Sequence, residues 1–135
     1  ATVVNVNPLY TPRELKHQLV DAGARVIVVF DAMLPTLAAV LGDTAIEQVV
    51  VARVGDLFPF VKRSVYEFVA ARRRAATLPR LPGALPLRQA LARGRGRHLA
   101  PVEQGPADLA LLQYTGGTTG LSKGSMLSHR CMLAN

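Results

Sequence analysis

The sequence predicts an α/β fold with mostly parallel strands and flanking helices. Runs rich in β-branched and other apolar residues, VIVVF at 26–30, IEQVVVA at 46–52 and LALLQY at 109–114, are typical of strands buried in a parallel sheet. Helical patterns separate these runs, and such alternation favours parallel pairing through crossover helices. With 135 residues, of which 50% are hydrophobic, the chain is long enough for one core.

Residues 1–56 are predicted to form an α/β segment that opens with the short β-type run VVNVN and a turn at the following proline. A helix should begin after Thr11, because a proline suits the first helical position and Glu14 completes a capping box. Gly23 is well suited to follow the C-cap of this helix. A second short helix is expected over 34–41, ending at a glycine.

Residues 57–106 are predicted to hold an amphipathic helix and a basic connection rich in proline and glycine. Over 57–74, valines and a phenylalanine recur at helical spacing and most charged residues lie off that stripe. Two interpretations remain open: a surface helix packed on the domain, or a basic helix that rests on an anionic membrane or leads an apolar substrate inward. The connection over 79–106 should lie on the surface, with a short helix at LRQALARG.

The net charge of +7 is a local feature. Six basic and seven acidic residues occur up to Glu67, whereas ten basic and two acidic residues follow it. An RNA-binding surface is therefore one alternative. However, no aromatic residue lies between Phe68 and Tyr114 to offer a stacking platform, so no nucleic-acid partner is predicted.

Residues 107–135 are predicted to form a strand, a phosphate-binding loop and the start of a helix capped by Ser128. Ligands of open α/β sheets lie at the carboxyl ends of strands, where glycines let backbone N–H groups turn toward an anion. Threonine hydroxyls and a lysine add further donors. The spacing fits neither the Walker pattern nor the dinucleotide fingerprint. The predicted ligand-binding residues are Thr115, Gly116, Gly117, Thr118, Thr119, Gly120 and Lys123.

The stretch LQYTGGTTGLSKGSMLSHR closely resembles the phosphate-binding signature of the acyl-adenylate-forming superfamily, and within it the bacterial long-chain fatty-acid–CoA ligases. Ser122 stands where many members carry proline, which bears on the rigidity of the loop. VNVNPLYTPRELKHQLVDAGARVIVV is also similar to those ligases. The resemblance implies that residues 1–135 form part of the large N-terminal, AMP-binding domain of an acyl-CoA synthetase-like fold, and that the chain is a piece of a longer protein.

The resemblance also implies a reaction. Members of the superfamily activate a carboxylate as acyl-AMP with ATP, release pyrophosphate and transfer the acyl group to coenzyme A. ATP, Mg²⁺ and coenzyme A are the implied cofactors and co-substrates, a long-chain fatty acid is the implied substrate, and the predicted loop would surround the β- and γ-phosphates. No catalytic or metal-ligating residue is assigned, and the piece alone is expected to be inactive. Aryl-CoA ligases, amino-acid-activating domains and luciferase-like oxidases share the loop chemistry and remain alternatives.

The sequence further predicts a cytoplasmic protein, with peripheral contact at the inner face of the cell membrane through the basic segment as a compatible addition. No signal-peptide pattern opens the chain, and no apolar stretch approaches the roughly 20 residues of a membrane span. The lone Cys131 cannot form an internal disulfide, which fits a reducing compartment.

Overall fold

The structure, a computed structural model, describes residues 1–73, 78–115 and 122–134. Its strands are β1 (Val3–Val4), β2 (Val26–Phe30), β3 (Gln48–Ala52), β4 (Leu85–Pro86), β5 (Leu109–Thr115) and β6 (Lys123–Ser128). Its α-helices are α1 (Pro12–Asp21), α2 (Leu34–Ala38), α3 (Phe60–Arg73), α4 (Leu87–Gly94) and α5 (His129–Leu133). Short 3₁₀ turns cover Asp31–Met33, Leu41–Asp43 and Val54–Leu57.

The strands form two three-stranded sheets, ordered β1-β5-β6 and β2-β3-β4. β1 pairs parallel with β5, and β3 pairs parallel with both β2 and β4. The predicted α/β architecture with mostly parallel strands is therefore confirmed. β6 was not predicted and runs antiparallel to β5, so the two strands form a hairpin with an irregular register between Leu109 and Leu111.

Helix α1 forms where local chemistry predicts it. The Thr11 hydroxyl accepts a hydrogen bond from the Glu14 amide, and the Glu14 carboxylate accepts one from the Thr11 amide at 2.8 Å, which completes the capping box. Gly23 follows the C-cap with a φ of +56°, a left-handed conformation that glycine adopts without steric cost. The Thr11 hydroxyl also donates to the Glu14 carboxylate at 2.7 Å, and this hydrogen bond, followed by the one from the Thr11 amide, lowers the pKa of Glu14.

The core lies between α1, α2 and one face of the β2-β3-β4 sheet. It consists of six buried apolar residues: Leu15, Leu19, Ile27, Leu37, Val40 and Val49. Each fully buried side chain of this size contributes about 1.5–3 kcal/mol relative to an exposed one. The expectation that β2 is buried on both faces is wrong for this structure, since Val26 and Val28 are more than 60% exposed. β3, which α4 contacts, is the better covered strand.

Besides β6, the observed elements differ from the predicted ones in three further respects. α4 coincides with the predicted LRQALARG helix, but the connection before it also adds β4 to the sheet. α3 is helical as predicted, yet Val61 and Val65 of its apolar stripe are more than 60% exposed. α2 ends at Ala38, and the rest of the predicted second helix continues into a 3₁₀ turn.

The predicted cap of the last helix is confirmed, because the Ser128 hydroxyl accepts a hydrogen bond from the Cys131 amide at 3.3 Å. Among the helices of the described residues, none has the length and apolar character needed to cross a lipid bilayer.

Candidate functional site

The hairpin of β5 and β6 places two predicted ligand-binding residues side by side. Thr115, the last residue of β5, pairs across the ladder with Lys123, the first residue of β6. Directly opposed residues of an antiparallel pair have Cβ atoms about 4.5–5.5 Å apart. A hydroxyl and an ammonium group therefore leave neighbouring backbone positions at one end of the hairpin. The other predicted residues, Gly116, Gly117, Thr118, Thr119 and Gly120, lie outside the described residues.

A polar cleft of about 390 Å³ adjoins this end of the sheet. Because β1 and β5 are parallel, their carboxyl ends meet at one edge, which is where ligands bind in open α/β folds. The Asn5 side-chain amide donates to the Gln113 side-chain oxygen at 3.4 Å across this edge. The cleft is lined by Asn5, Val6, Asn7, Tyr10, Gln113 and Tyr114. Sequence reasoning did not assign these residues to a site, although most lie in the two stretches that carry the family resemblance.

Tyr114 links the hairpin to α1. Its ring is 8% exposed, and its hydroxyl donates a hydrogen bond of 2.6 Å to the Asp21 carboxylate. Burial, followed by this hydrogen bond and the negative charge of Asp21, raises the pKa of Tyr114 to about 12. Gly124, the cross-strand partner of Tyr114, leaves room for the ring, since a Cβ there would lie 3.0 Å from ring carbons. These contacts anchor the end of β5 to α1.

A second link joins α1 to the other strand of the hairpin. The His17 Nε2 atom lies 3.2 Å from the Ser122 carbonyl oxygen. Because a carbonyl can only accept, this nitrogen must carry the proton in the hydrogen bond. His17 had no partner pattern in the sequence, since its partner lies 105 positions away. His17 and Asp21 are one helical turn apart on α1, and this spacing is the sequence signal that could have placed both side chains on the same helix face.

α1 is itself held firmly behind the cleft. Gln18 is fully buried, and its side-chain amide donates to the Asn5 carbonyl oxygen at 2.7 Å. The Gln18 Oε1 atom is buried without a hydrogen-bond partner. Leu15 and Leu19 on the same helix belong to the core. The helix that contacts both strands of the hairpin is therefore fixed to the β2-β3-β4 sheet.

The described residues do not assemble a metal site. In the ranges 1–73, 78–115 and 122–134, no three histidine, cysteine, aspartate or glutamate side chains converge closely enough to hold a metal ion. The Asp21 carboxylate, which contacts the hairpin, is engaged by the Tyr114 hydroxyl. These residues do not fit Mg²⁺ as a protein-held ion.

Comparisons with known proteins agree with the resemblance. The sequence model described as "AMP-binding enzyme" matches residues 1–135. A long-chain-fatty-acid–CoA ligase of Escherichia coli O6:H1 is 49% identical over 134 residues, which cover 98% of this chain and 24% of that protein. The chain thus spans about a quarter of the length of such curated relatives.

Solved structures show the same fold. The crystal structure of a long-chain-fatty-acid-CoA ligase from Archaeoglobus fulgidus has a TM-score of 0.61 and 30% identity, over 96% of this chain and 20% of the other. The anthranilate CoA ligase AuaEII in complex with anthranoyl-AMP has a TM-score of 0.68 at 24% identity, with the same coverage. The chain accordingly has the fold of part of an acyl-CoA synthetase-like domain, as predicted.

Proposed function

The chain belongs to the family of AMP-binding enzymes, and from this premise we propose that it forms the ATP-phosphate-binding part of a long-chain fatty-acid–CoA ligase. In the first step a fatty-acid carboxylate oxygen attacks the α-phosphorus of ATP, and the bond to pyrophosphate breaks. In the second step the thiolate of coenzyme A attacks the acyl carbonyl carbon, and AMP leaves. The 49% identity to a fatty-acid ligase favours the fatty-acyl substrate over the aryl and amino-acid alternatives.

The pairing of Thr115 with Lys123 is the observation that carries this proposal. It sets a hydroxyl donor and a positive charge at the carboxyl end of β5, beside a polar cleft. Hydrogen-bond donors and positive charge stabilise bound phosphate oxygens. Because the strand pairing already fixes the backbone of both residues, these groups lose little conformational entropy when phosphate binds. In the proposed role Lys123 offsets the negative charge on the β- and γ-phosphates while Thr115 donates from its hydroxyl. The sequence adds Gly116, Gly117, Thr118, Thr119 and Gly120 to this set.

Mg²⁺ and coenzyme A belong to the proposed reaction without assigned residues. Mg²⁺ would add charge neutralisation on the phosphates, and its ligands would come from ATP and from residues beyond those described.

Substitution of Lys123 tests the proposal. In the full-length ligase, Lys123→Ala should lower kcat/KM for ATP by about 10²–10³-fold, the usual cost of removing one donor that stabilises developing charge. Lys123→Arg should retain part of the activity, because the charge remains while its geometry changes. The measurement is pyrophosphate release that depends on both ATP and a long-chain fatty acid. Thr118→Val should have the same direction of effect.

Lys16→Ala is the matched control, since Lys16 is an exposed lysine on α1 that pairs with Asp43, and its substitution removes the same charge from a different surface. It should leave pyrophosphate release unchanged. The proposed function would be contradicted if Lys123→Ala had wild-type kinetics, or if the wild-type protein did not bind ATP.

A cytoplasmic location follows from the proposed substrates, because ATP and coenzyme A are supplied there. We also propose peripheral contact with anionic membrane through α3, whose exposed Val61 and Val65 lie beside Lys62. Sedimentation with vesicles containing anionic lipid should be weakened by Val61→Ser and by 0.5 M salt. Equal sedimentation of the variant and wild type would refute the membrane contact.

A further inference from the structure

We propose that His17 and Asp21 are positioning residues that fix the Thr115–Lys123 end of the phosphate-binding hairpin to α1. The proposal rests on the proposed function, because it assigns these residues to the same ATP site. Neither residue was singled out as a site residue by the sequence.

The two contacts flank the Thr115–Lys123 pair, one on each side of it. The Asp21 carboxylate holds the Tyr114 hydroxyl at 2.6 Å, one residue before Thr115. The His17 ring holds the Ser122 carbonyl at 3.2 Å, one residue before Lys123. Tyr114 on β5 and the residue that leads into β6 are thus both tied to α1, each one position before a residue proposed to meet phosphate. A short hydrogen bond to a charged carboxylate is about twice as strong as a neutral one, so the Asp21 tie should be the stronger of the two.

The helix can serve as a fixed support because its other face is buried. Leu15 is 4% exposed, Leu19 is 2% exposed, and Gln18 is fully buried with its hydrogen bond to the Asn5 carbonyl. His17 and Asp21 are four residues apart and therefore share one face of α1, toward the hairpin. His17 and Asp21, held by this buried helix, can keep the hairpin residues that they contact within the small positional tolerance that ligand binding demands.

The geometry around Tyr114 limits any alternative placement of the hairpin. The ring lies over Gly124, with only 3.0 Å between ring carbons and the position of a Cβ at that residue. Both strands therefore close on the same ring, and the ring is held by Asp21. Loss of the Asp21 contact should let the end of the hairpin shift relative to α1. Thr115 and Lys123 would then depart from the geometry, held to within about 0.5 Å, that binding of the ATP phosphates demands.

The test compares variants of the full-length ligase by their steady-state constants for ATP, fatty acid and coenzyme A. Asp21→Ala and Tyr114→Phe should each raise the KM for ATP about tenfold and leave the other two KM values within about twofold. Asp21→Asn, which still accepts a hydrogen bond, should lie between Asp21→Ala and wild type. The double variant Asp21→Ala/Tyr114→Phe should be no worse than either single variant, because both remove one contact.

His17→Gln should keep most of the affinity for ATP, since its amide can still donate to the Ser122 carbonyl, whereas His17→Ala should raise the KM for ATP several-fold. Lys16→Ala is the matched control on the same helix. It breaks the exposed ion pair with Asp43 and touches neither strand of the hairpin, so all three KM values should stay at wild type.

Three outcomes are distinguishable. A selective rise in the KM for ATP supports the positioning role. A fall in kcat with all three KM values unchanged, or an unchanged KM for ATP in Asp21→Ala and His17→Ala, would show that the contacts serve folding alone and would overturn this inference while the proposed function stands. A wild-type protein without ATP-dependent pyrophosphate release, or a Lys123→Ala variant with wild-type affinity for ATP, would overturn both.

Discussion

Gly124→Ala should destabilise the hairpin because a methyl group there meets a ring that cannot move away cheaply. The added Cβ would lie 3.0 Å from two ring carbons of Tyr114 and 3.3 Å from its hydroxyl oxygen. The ring is 8% exposed and its hydroxyl is bound to Asp21 at 2.6 Å. Relief would therefore require a shift of the strands or the loss of this hydrogen bond.

The expected magnitude comes from two opposing terms. Overpacking at a tight site costs about 1–3 kcal/mol. Replacing glycine with alanine inside a strand gains about 0.5–1 kcal/mol from the lower entropy of the unfolded chain. The first term is larger, so a net loss of about 1–2 kcal/mol is expected. Through the Boltzmann relation this equals about a 5- to 30-fold faster exchange of the hairpin amides when the hairpin opens locally.

Hydrogen exchange of the full-length protein, followed by mass spectrometry over 109–115 and 123–128, measures this change. Gly42→Ala is the control, because nothing lies within 4 Å of a Cβ there and its φ is not in the left-handed region. It should leave the protein as stable as wild type or more stable by up to about 1 kcal/mol. Hairpin amides in Gly124→Ala that exchange as slowly as in wild type would refute the packing argument.

Three further predictions concern single groups. Gln18→Met should change the free energy of unfolding, measured by urea denaturation, by less than about 1 kcal/mol, because it removes the unpartnered Gln18 oxygen together with the hydrogen bond to Asn5. Gln18→Ala should cost about 2–4 kcal/mol, because it leaves a cavity. Stability should fall between about pH 10 and 12, since the unfolded state releases the Tyr114 proton at lower pH than the folded state; thermal unfolding of Tyr114→Phe should lack this component. Ser128→Ala should slow alkylation of exposed Cys131 by iodoacetamide at pH 8, because hydrogen bonds from Ser128 lower the pKa of that thiol.

Local chemistry made α1 and α5 predictable from the sequence. The Thr11 capping box and the Ser128 cap involve residues three positions apart, so their partners can be read from the chain itself. The apolar runs of β2, β3 and β5 were equally informative, because burial in a sheet needs such runs. In contrast, the burial of each face depends on what covers it, and the exposed Val26 and Val28 show that a run alone does not decide this.

β6 escaped prediction for a physical reason. Its sequence KGSMLS has neither an alternating pattern nor a continuous apolar run, and Met126 is 72% exposed. The strand exists because β5 offers it a partner, and pairing of this kind is set by tertiary context. The same reason applies to β4, a two-residue strand ended by a proline and held by β3. The glycine-threonine segment thus remains a sequence-based prediction of where a site lies, whereas the pairing of Thr115 with Lys123 at its two ends required the structure.

The contacts of α1 explain how one short helix can organise the candidate site. His17 and Asp21 lie on one face and hold the two strands of the hairpin, while Gln18, roughly 100° around the helix, holds the backbone of Asn5 at the cleft. Because the same helix packs in the core through Leu15 and Leu19, the hairpin and the cleft share one support. A change that shifts α1 should therefore move the hairpin and the cleft together. The packing of α1 on the β2-β3-β4 sheet is in this way coupled to the geometry of the proposed ATP site.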